Sequence, residues 1–326
     1  MTTKIEEVYK DLCSKGNPLY FDTYAVVKSR LEKSYFPFLR DVQPFRTDHG
    51  MGHVNRILEK LSHFLGPHLP VSGNTEGRIV DLENLNLLMN AALWHDLGNL
   101  YGRLDHAQSI SKIFGNVSTF LYDPPHRELI LKIAQGHCGE GSIERTIEDE
   151  SKVIYDSVIY PQFLSALLRI SDEIDEDQRR VETRVMSKVP KECEAYWRFC
   201  SCNESIMPIY QDDSLGNVNL EIKVMCKMPK EAVYAKWGKN SNEVICINEY
   251  VSRLSKMNKE RMYCNKFLRQ YSALYFRNID RINAEIHFYD EKDSTADKIV
   301  FSFSDSSTEA DFFGDKTIME ILKKYQ

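Results

Sequence analysis

Hydrophobic residues recur every three or four positions along roughly the first 180 residues, which is the spacing of one buried helix face. The first such run follows Asp48 and stops at Gly66-Pro67, a pair that ends helices. A later run begins at Pro161, a residue well suited to a first helical turn. The pattern predicts helices over residues 48–66, 81–97, 105–115, 124–136 and 161–174.

The pattern changes beyond about residue 185. Residues 218–224 alternate between apolar and polar side chains, as a half-buried strand does, and residues 284–289 and 298–303 alternate in the same way and predict a β-hairpin. One long helix or two are expected over residues 243–277, and a last helix over 317–324. The predicted fold is mostly α, with a helical domain over residues 1–200 and a smaller α+β region over 201–326.

Composition and charge exclude several classes of protein. The 326 residues are 42% hydrophobic and 28% charged, as in ordinary globular proteins. The formal net charge of −6 implies no dominant basic surface and disfavours nucleic acid as a partner. No apolar run approaches the roughly 18 residues of a membrane span. The eight scattered cysteines are typical of reduced thiols, so a cytoplasmic location is expected. Whether the protein forms a homo-oligomer is left open.

An ionisable pair, His95-Asp96, follows directly on the apolar run of residues 87–94. A buried helix should not carry such a pair without compensation, because an unpaired buried charge is costly. A bound divalent cation is the simplest compensation. The pair therefore indicates a metal site, and further ligands should come from other helices.

Two other predicted helices carry residues that bind metals. His49 and His53 stand four positions apart, so they share one face if both are helical. An N-cap role for Asp48 would explain the local sequence without any functional histidine. The helix from Pro161 ends in carboxylates, of which Asp172 is the preferred ligand. Its rival Asp175 is expected to be a solvated carboxylate at the helix end.

The ordered set of motifs resembles the metal-dependent HD phosphohydrolase superfamily. The match covers roughly residues 45–180 and rests on His53-Val54-Asn55-Arg56-Ile57, Ala91-Ala92-Leu93-Trp94-His95-Asp96-Leu97-Gly98 and Leu168-Arg169-Ile170-Ser171-Asp172-Glu173-Ile174-Asp175. The resemblance implies a helical bundle in which His53, His95, Asp96 and Asp172 bind the metal. It also favours a bacterial subgroup in which an HD domain carries an appended α+β module.

Two further histidines and an arginine match positions that are functional in HD subgroups. His106 and His137 resemble histidines that hold a second metal, stabilise phosphoryl oxygens or protonate the leaving group. Arg103 is a candidate phosphate clamp, because arginine can donate two parallel hydrogen bonds. Asn99 stands where many HD enzymes have lysine, so the cation in contact with phosphate must come from elsewhere, with Arg103, Arg46 and Arg56 as candidates.

This donor set predicts a particular chemistry. A divalent ion lowers the pKa of a bound water and offsets the charge that develops on a phosphate. Ligands of nitrogen and oxygen suit Mn, Fe, Mg, Ni or Co, as one ion or two. Asp96 would also orient or deprotonate the water. The resemblance then implies hydrolysis of a phosphoester or phosphoanhydride in a small molecule, with nucleotides as the expected substrates.

Two alternatives stay open. The site could hold a metal without turnover, in a sensor or interaction module whose C-terminal region binds a partner. It could also hold two irons, as in an HD oxygenase, since His106 and His137 leave room for a second ion. A screen for phosphate release together with elemental analysis separates hydrolase from sensor, and oxygen consumption would reveal the oxygenase.

Overall fold

The computed structural model describes residues 2–42, 47–69, 80–139, 141–212, 218–238, 244–269, 278–290 and 297–326. Its α-helices are α1 (Lys4–Lys15), α2 (Pro18–Ser34), α3 (Phe36–Val42), α4 (Met51–Leu65), α5 (Leu82–Trp94), α6 (His106–Ser118), α7 (Pro124–Gln135), α8 (Ser142–Thr146), α9 (Pro161–Glu173), α10 (Lys191–Cys202), α11 (Cys246–Leu268), α12 (Glu309–Gly314) and α13 (Lys316–Lys323). Its strands are β1 (Lys152–Ile154), β2 (Ser157–Ile159), β3 (Asn203–Asp212), β4 (Val218–Pro229), β5 (Lys236–Trp237), β6 (Val244–Ile245), β7 (Ile279–Tyr289) and β8 (Asp297–Phe303).

The chain forms two compact units. The first comprises Met1–Asp172 with Cys264–Asn278, and the second comprises Glu173–Tyr263 with Ile279–Gln326. In its described residues, the first unit is helical apart from the short β1–β2 hairpin and the connecting loops. The second contains a four-stranded mixed sheet. The predicted fold class, mostly α with a smaller α+β region, is confirmed.

Helix α5 is the centre of the first unit. All of its residues from Asn84 to Trp94 are buried, so it is enclosed on every side rather than amphipathic. It packs against α1, α2, α4 and α7. Because α5 ends at Trp94, the residues that follow it emerge inside the bundle, and His95 and Asp96 are both buried there.

The sheet of the second unit has the strand order β3-β4-β7-β8. β3 and β8 pair with their neighbours in antiparallel fashion, whereas β4 and β7 are parallel. Parallel neighbours require a crossover, and the chain makes it through α11. Alternate residues of β4 and β7 are buried, including Ile222, Val224, Ile282 and Ile286.

The structure differs from the predicted elements at several points. The helix expected to reach residue 97 ends at Trp94, where a 3₁₀ turn from Leu97 to Tyr101 replaces it. The helix expected to stop at Gly115 continues to Ser118, because Val117 and Ser118 extend its buried face. The strand at 218–224 and the hairpin are confirmed as β4, β7 and β8. Helix α10 and strand β3 were not predicted, and residues 270–277 of the predicted long helix lie outside the described part.

Candidate metal centre

The ends of three helices deliver the four predicted ligands to one place. His53 lies in the first turn of α4, His95 and Asp96 follow α5, and Asp172 lies near the end of α9. One donor atom from each of these four residues lies within 4.8 Å of all the others. His53 and His95 are fully buried. The structure therefore brings together the set that the motifs predicted.

Distances within the cluster match the spacing of ligands around one ion. The Nε2 atoms of His53 and His95 are 3.2 Å apart. His53 Nε2 lies 3.3 Å from Asp96 Oδ2 and 3.2 Å from Asp172 Oδ1. Adjacent ligands about 2.1 Å from a metal in octahedral geometry lie about 3 Å apart, and opposite ones about 4.2 Å. A divalent ion therefore fits among these atoms.

A second cluster lies on the other side of Asp96. It contains His106 at the start of α6, and His137 and Cys138 just after α7, whose donor atoms all lie within 4.8 Å of one another. His106 Nε2 and His137 Nε2 are 3.2 Å apart, and they lie 3.7 and 3.9 Å from Asp96 Oδ1. Asp96 thus presents Oδ2 to one cluster and Oδ1 to the other.

Backbone carbonyls fix which nitrogen of three histidines carries the proton. The Nδ1 atoms of His95, His106 and His137 lie 2.9, 3.1 and 2.6 Å from the carbonyl oxygens of Ala92, Arg103 and Ala134. A carbonyl only accepts hydrogen bonds, so each Nδ1 must donate, and in the neutral ring Nε2 then keeps a lone pair. With both rings in the neutral form, His106 and His137 direct two lone pairs at each other across 3.2 Å, an arrangement that a cation stabilises.

Electrostatics favour a neutral His95 and charged carboxylates. Complete burial lowers the pKa of His95 to about 4, against the opposing effect of Asp96 and Asp172. Burial alone would raise the pKa of Asp96, but His49, His95 and His53 outweigh it and hold the pKa well below its usual value. The pKa of Asp172 is likewise lowered, since His53 outweighs burial. Neutral imidazole and ionised carboxylate are the forms that bind metals.

His49 and Asn99 orient the Asp96 carboxylate. His49 lies before α4, so the shared helix face proposed for it with His53 does not form, yet its Nδ1 is 2.7 Å from Asp96 Oδ2. Asn99 Nδ2 donates to Asp96 Oδ1 at 2.8 Å and to the Asp96 carbonyl at 3.0 Å. Asn99 thus supports a predicted ligand. Its position within one turn of Asp96 was a signal that could have suggested this role.

The remaining candidates occupy different settings. The Arg103 side chain is exposed, while its carbonyl accepts from His106. Arg56 donates to Asp48, whose other oxygen accepts from the Gly50 amide. Helix α4 begins at Met51, which makes Gly50 rather than Asp48 its N-cap. Arg46 lies outside the described residues. The expectation of a solvated Asp175 is wrong, because that residue is fully buried and does not join the four-residue cluster.

Sequence comparison identifies the family. A family model described as HD-CE matches residues 36–213, a little over half of the chain. The chain belongs to the HD-CE family. The predicted membership of an HD-domain family is thereby confirmed. No curated protein and no solved structure matches the chain.

The HD-CE match spans every residue of both clusters. It supports a helical HD domain whose buried histidines and aspartates could bind a divalent metal. Among the described residues, no helix is both long and apolar enough to cross a membrane. All eight cysteines lie in the described part of the chain, and none of them forms a disulfide.

Proposed function

We propose that this HD-CE protein is a metal-dependent hydrolase of phosphoesters or phosphoanhydrides in small molecules. The observation that carries the proposal is the buried set of two imidazoles and two carboxylates, joined through Asp96 to a second pair of imidazoles. Two carboxylates balance the charge of one divalent ion. Two neutral imidazoles add ligand atoms without adding charge.

Under this proposal His53, His95, Asp96 and Asp172 hold the first ion. A bound divalent ion would supply a water of lowered pKa and stabilise negative charge on phosphoryl oxygens. Nitrogen and oxygen donors without thiolate suit Mn, Fe, Mg, Ni or Co at this position. A second ion between His106 and His137 would separate their facing lone pairs.

Asp96 is better suited to ligand binding than to removing a proton. Its low pKa keeps the carboxylate charged near neutral pH but makes it a weak base. His49 and Asn99 hold its two oxygens in different directions, toward the first cluster and the second. If His106 and His137 do not bind an ion, their Nε2 atoms can donate protons to phosphoryl or leaving-group oxygens when the rings are protonated, since each Nδ1 is already bonded to a backbone carbonyl.

The proposed substrate class is nucleotides, which rests on the resemblance to HD phosphohydrolases. Arg103 is the proposed phosphate clamp, because it stands three residues before His106 and its guanidinium is exposed to incoming ligands. The absence of disulfides among the eight cysteines, all of which lie in described residues, supports the proposal that the protein acts in the reducing cytoplasm.

The test is phosphate release from a panel of nucleoside mono-, di- and triphosphates and cyclic nucleotides, with each of the five metals in turn. We expect release with at least one metal. His95→Ala and Asp96→Ala should abolish both activity and metal retention, whereas His63→Ala, a change at an exposed position on α4, should alter neither. Stoichiometric metal with no release from any substrate would contradict hydrolysis and favour a metal-bound sensor.

A further inference from the structure

The second cluster contains a thiol that the proposed hydrolysis does not use. Cys138 directly follows His137, and its Sγ lies 3.4 Å from His106 Nε2. The residue is partly accessible, as Cys193 is, whereas the other six cysteines are buried. Its sulfur and the two imidazole nitrogens form a group of three donors.

The spacing of these donors fits a tetrahedral ion. Bonds of about 2.0–2.1 Å to nitrogen and about 2.3 Å to sulfur give edges of about 3.3 Å between nitrogens and about 3.5 Å between nitrogen and sulfur. The observed separations are 3.2 Å for His106 to His137 and 3.4 Å for His106 to Cys138. Asp96 Oδ1 lies 3.7 and 3.9 Å from the two nitrogens, farther than a tetrahedral edge, so it would have to move closer to serve as a fourth ligand.

A buried arginine holds the loop that carries the thiol. Arg169 on α9 donates from Nη1 to the Gly139 carbonyl at 2.7 Å and to Ser142 Oγ at 2.8 Å. Ser142 Oγ in turn donates to the Gly136 carbonyl at 2.9 Å. These bonds fix the backbone carbonyls of Gly136 and Gly139 on either side of Cys138. The backbone that carries the thiol is therefore anchored before any ion binds.

We propose that Cys138 is a thiolate ligand of the second ion, so that the two ions of the centre occupy chemically different sites. The first site offers nitrogen and oxygen donors, and the second offers two imidazoles, one thiolate and the shared carboxylate. Thiolate favours thiophilic metals, so the second site selects Zn²⁺ over Mg²⁺ or Mn²⁺. On binding, the thiol proton leaves to solvent and a bond from sulfur to metal replaces one from water.

This inference rests on the proposed metal centre but is tested separately from hydrolysis. The full chain is stripped of metal and titrated with Co²⁺, whose bond to a thiolate produces a charge-transfer absorption in the near ultraviolet. We expect that absorption as the second equivalent binds. Cys138→Ser should abolish it, and Cys193→Ser, a change at the other partly accessible cysteine, should retain it.

Zinc affinity gives the quantitative result. Loss of groups that merely support ligands costs about 10–100-fold in metal affinity, so Cys138→Ser should weaken the second Zn²⁺ by at least about tenfold. A second measurement uses the wild-type protein and so does not depend on the folding of Cys138→Ser. Bound Zn²⁺ should protect Cys138 from alkylation by iodoacetamide, as measured by the mass of the peptide that contains it.

The outcomes separate the two proposals. A thiolate absorption without phosphate release would support the ligand and contradict the hydrolase. Phosphate release with two bound ions, no thiolate absorption and unchanged alkylation would overturn the ligand and leave the hydrolase standing. Binding of a single equivalent, with Cys138 alkylated at the same rate with and without Zn²⁺, would also overturn it and indicate a Cys138–His106 hydrogen-bonded pair.

Discussion

Asp96 connects the two clusters because its two carboxylate oxygens have different neighbours. Oδ2 lies 2.7 Å from His49 and 3.3 Å from His53. Oδ1 lies 2.8 Å from Asn99 and 3.7 Å from His106. A carboxylate with both oxygens engaged cannot rotate freely, so its supporting partners set the direction of the metal-binding lone pairs.

Asn99→Ala tests the support of Asp96. Loss of the donor to Oδ1 should weaken metal affinity by about 10–100-fold while the protein stays folded. Isothermal titration with Mn²⁺ measures the change, and circular dichroism verifies the fold. Asn116→Ala is the control, since that exposed side chain on α6 bonds only to the Lys112 carbonyl among the contacts described. Equal affinity in Asn99→Ala and wild type would refute the supporting role.

Asp172→Asn and Asp175→Asn form a matched pair that tests the choice of the last ligand. Asp172 Oδ1 faces His53 Nε2 at 3.2 Å, whereas Asp175 is buried away from the cluster. Asp172→Asn should lose most of its metal, because a neutral amide replaces an anionic ligand. Elemental analysis should find unchanged metal in folded Asp175→Asn. The reverse result would assign the ligand to Asp175.

The sequence predicted that His53, His95, Asp96 and Asp172 lie together, from helix ends beside apolar runs and from the resemblance to HD motifs, and their role as metal ligands stays a prediction. It did not predict that Asn99 supports Asp96. An asparagine in place of lysine at this position shows only that a cation in contact with phosphate is missing there. Cys138 was overlooked for a different reason. Its place beside His106 depends on the loop after α7, and no local pattern determines the shape of that loop.

At the scale of elements, the close packing of α6 on the turn after α5 positions His106. A Cβ at Gly98 would stand 1.7 Å from the His106 carbonyl oxygen and 3.0 Å from the Ile110 nitrogen. Only glycine allows this approach. The predicted helix boundaries were less accurate here, because the end of α5 at Trp94 is determined by packing of the turn rather than by apolar periodicity.

Gly98→Ala should therefore move α6 and disturb the second cluster. Overpacking of this kind destabilises a protein by about 1–3 kcal/mol. Chemical denaturation measures the loss, and metal analysis should show that the second ion is affected more than the first. Gly115→Ala is the contrast, because its Cβ would meet open space within α6 and should stabilise by about 0.5–1 kcal/mol. Equal effects of the two changes would contradict this account of the packing.

A buried histidine links three elements at the opposite end of α5. His126 Nδ1 lies 2.5 Å from Asp123 Oδ1, and its Nε2 lies 2.7 Å from Glu83 Oε2 on α5. Tyr20 on α2 donates to the other oxygen of Glu83. Burial alone would lower the pKa of His126, but the two carboxylates outweigh it and raise the pKa above its ordinary value.

The sign of the pH dependence follows from this pKa. A histidine whose pKa is raised on folding stabilises the protein below its unfolded pKa, and that contribution is lost as the pH rises through the folded pKa. His126→Gln should therefore flatten the fall in melting temperature as the pH rises above about 6.5, the ordinary pKa of histidine. His63→Gln is the control, because the ring of this exposed residue is still partly desolvated, which lowers its pKa and gives the opposite sign. An unchanged slope in His126→Gln would contradict the ion pair.

At the scale of the whole molecule, helical and alternating patterns predicted a helical part and an α+β part. The strand order was beyond prediction, because the parallel pairing of β4 with β7 joins residues on either side of α11. The sequence also could not predict that Cys264–Asn278 belongs to the first unit, because that assignment depends on contacts between residues distant in sequence. The domain division at residue 200 stays a prediction.

The most direct test of the central claim is an anomalous difference map from crystals of the Mn²⁺-loaded protein. The account predicts a peak about 2.0–2.3 Å from His53 Nε2, His95 Nε2, Asp96 Oδ2 and Asp172 Oδ1. A map with Mn²⁺ bound elsewhere and no peak among these four atoms would contradict it.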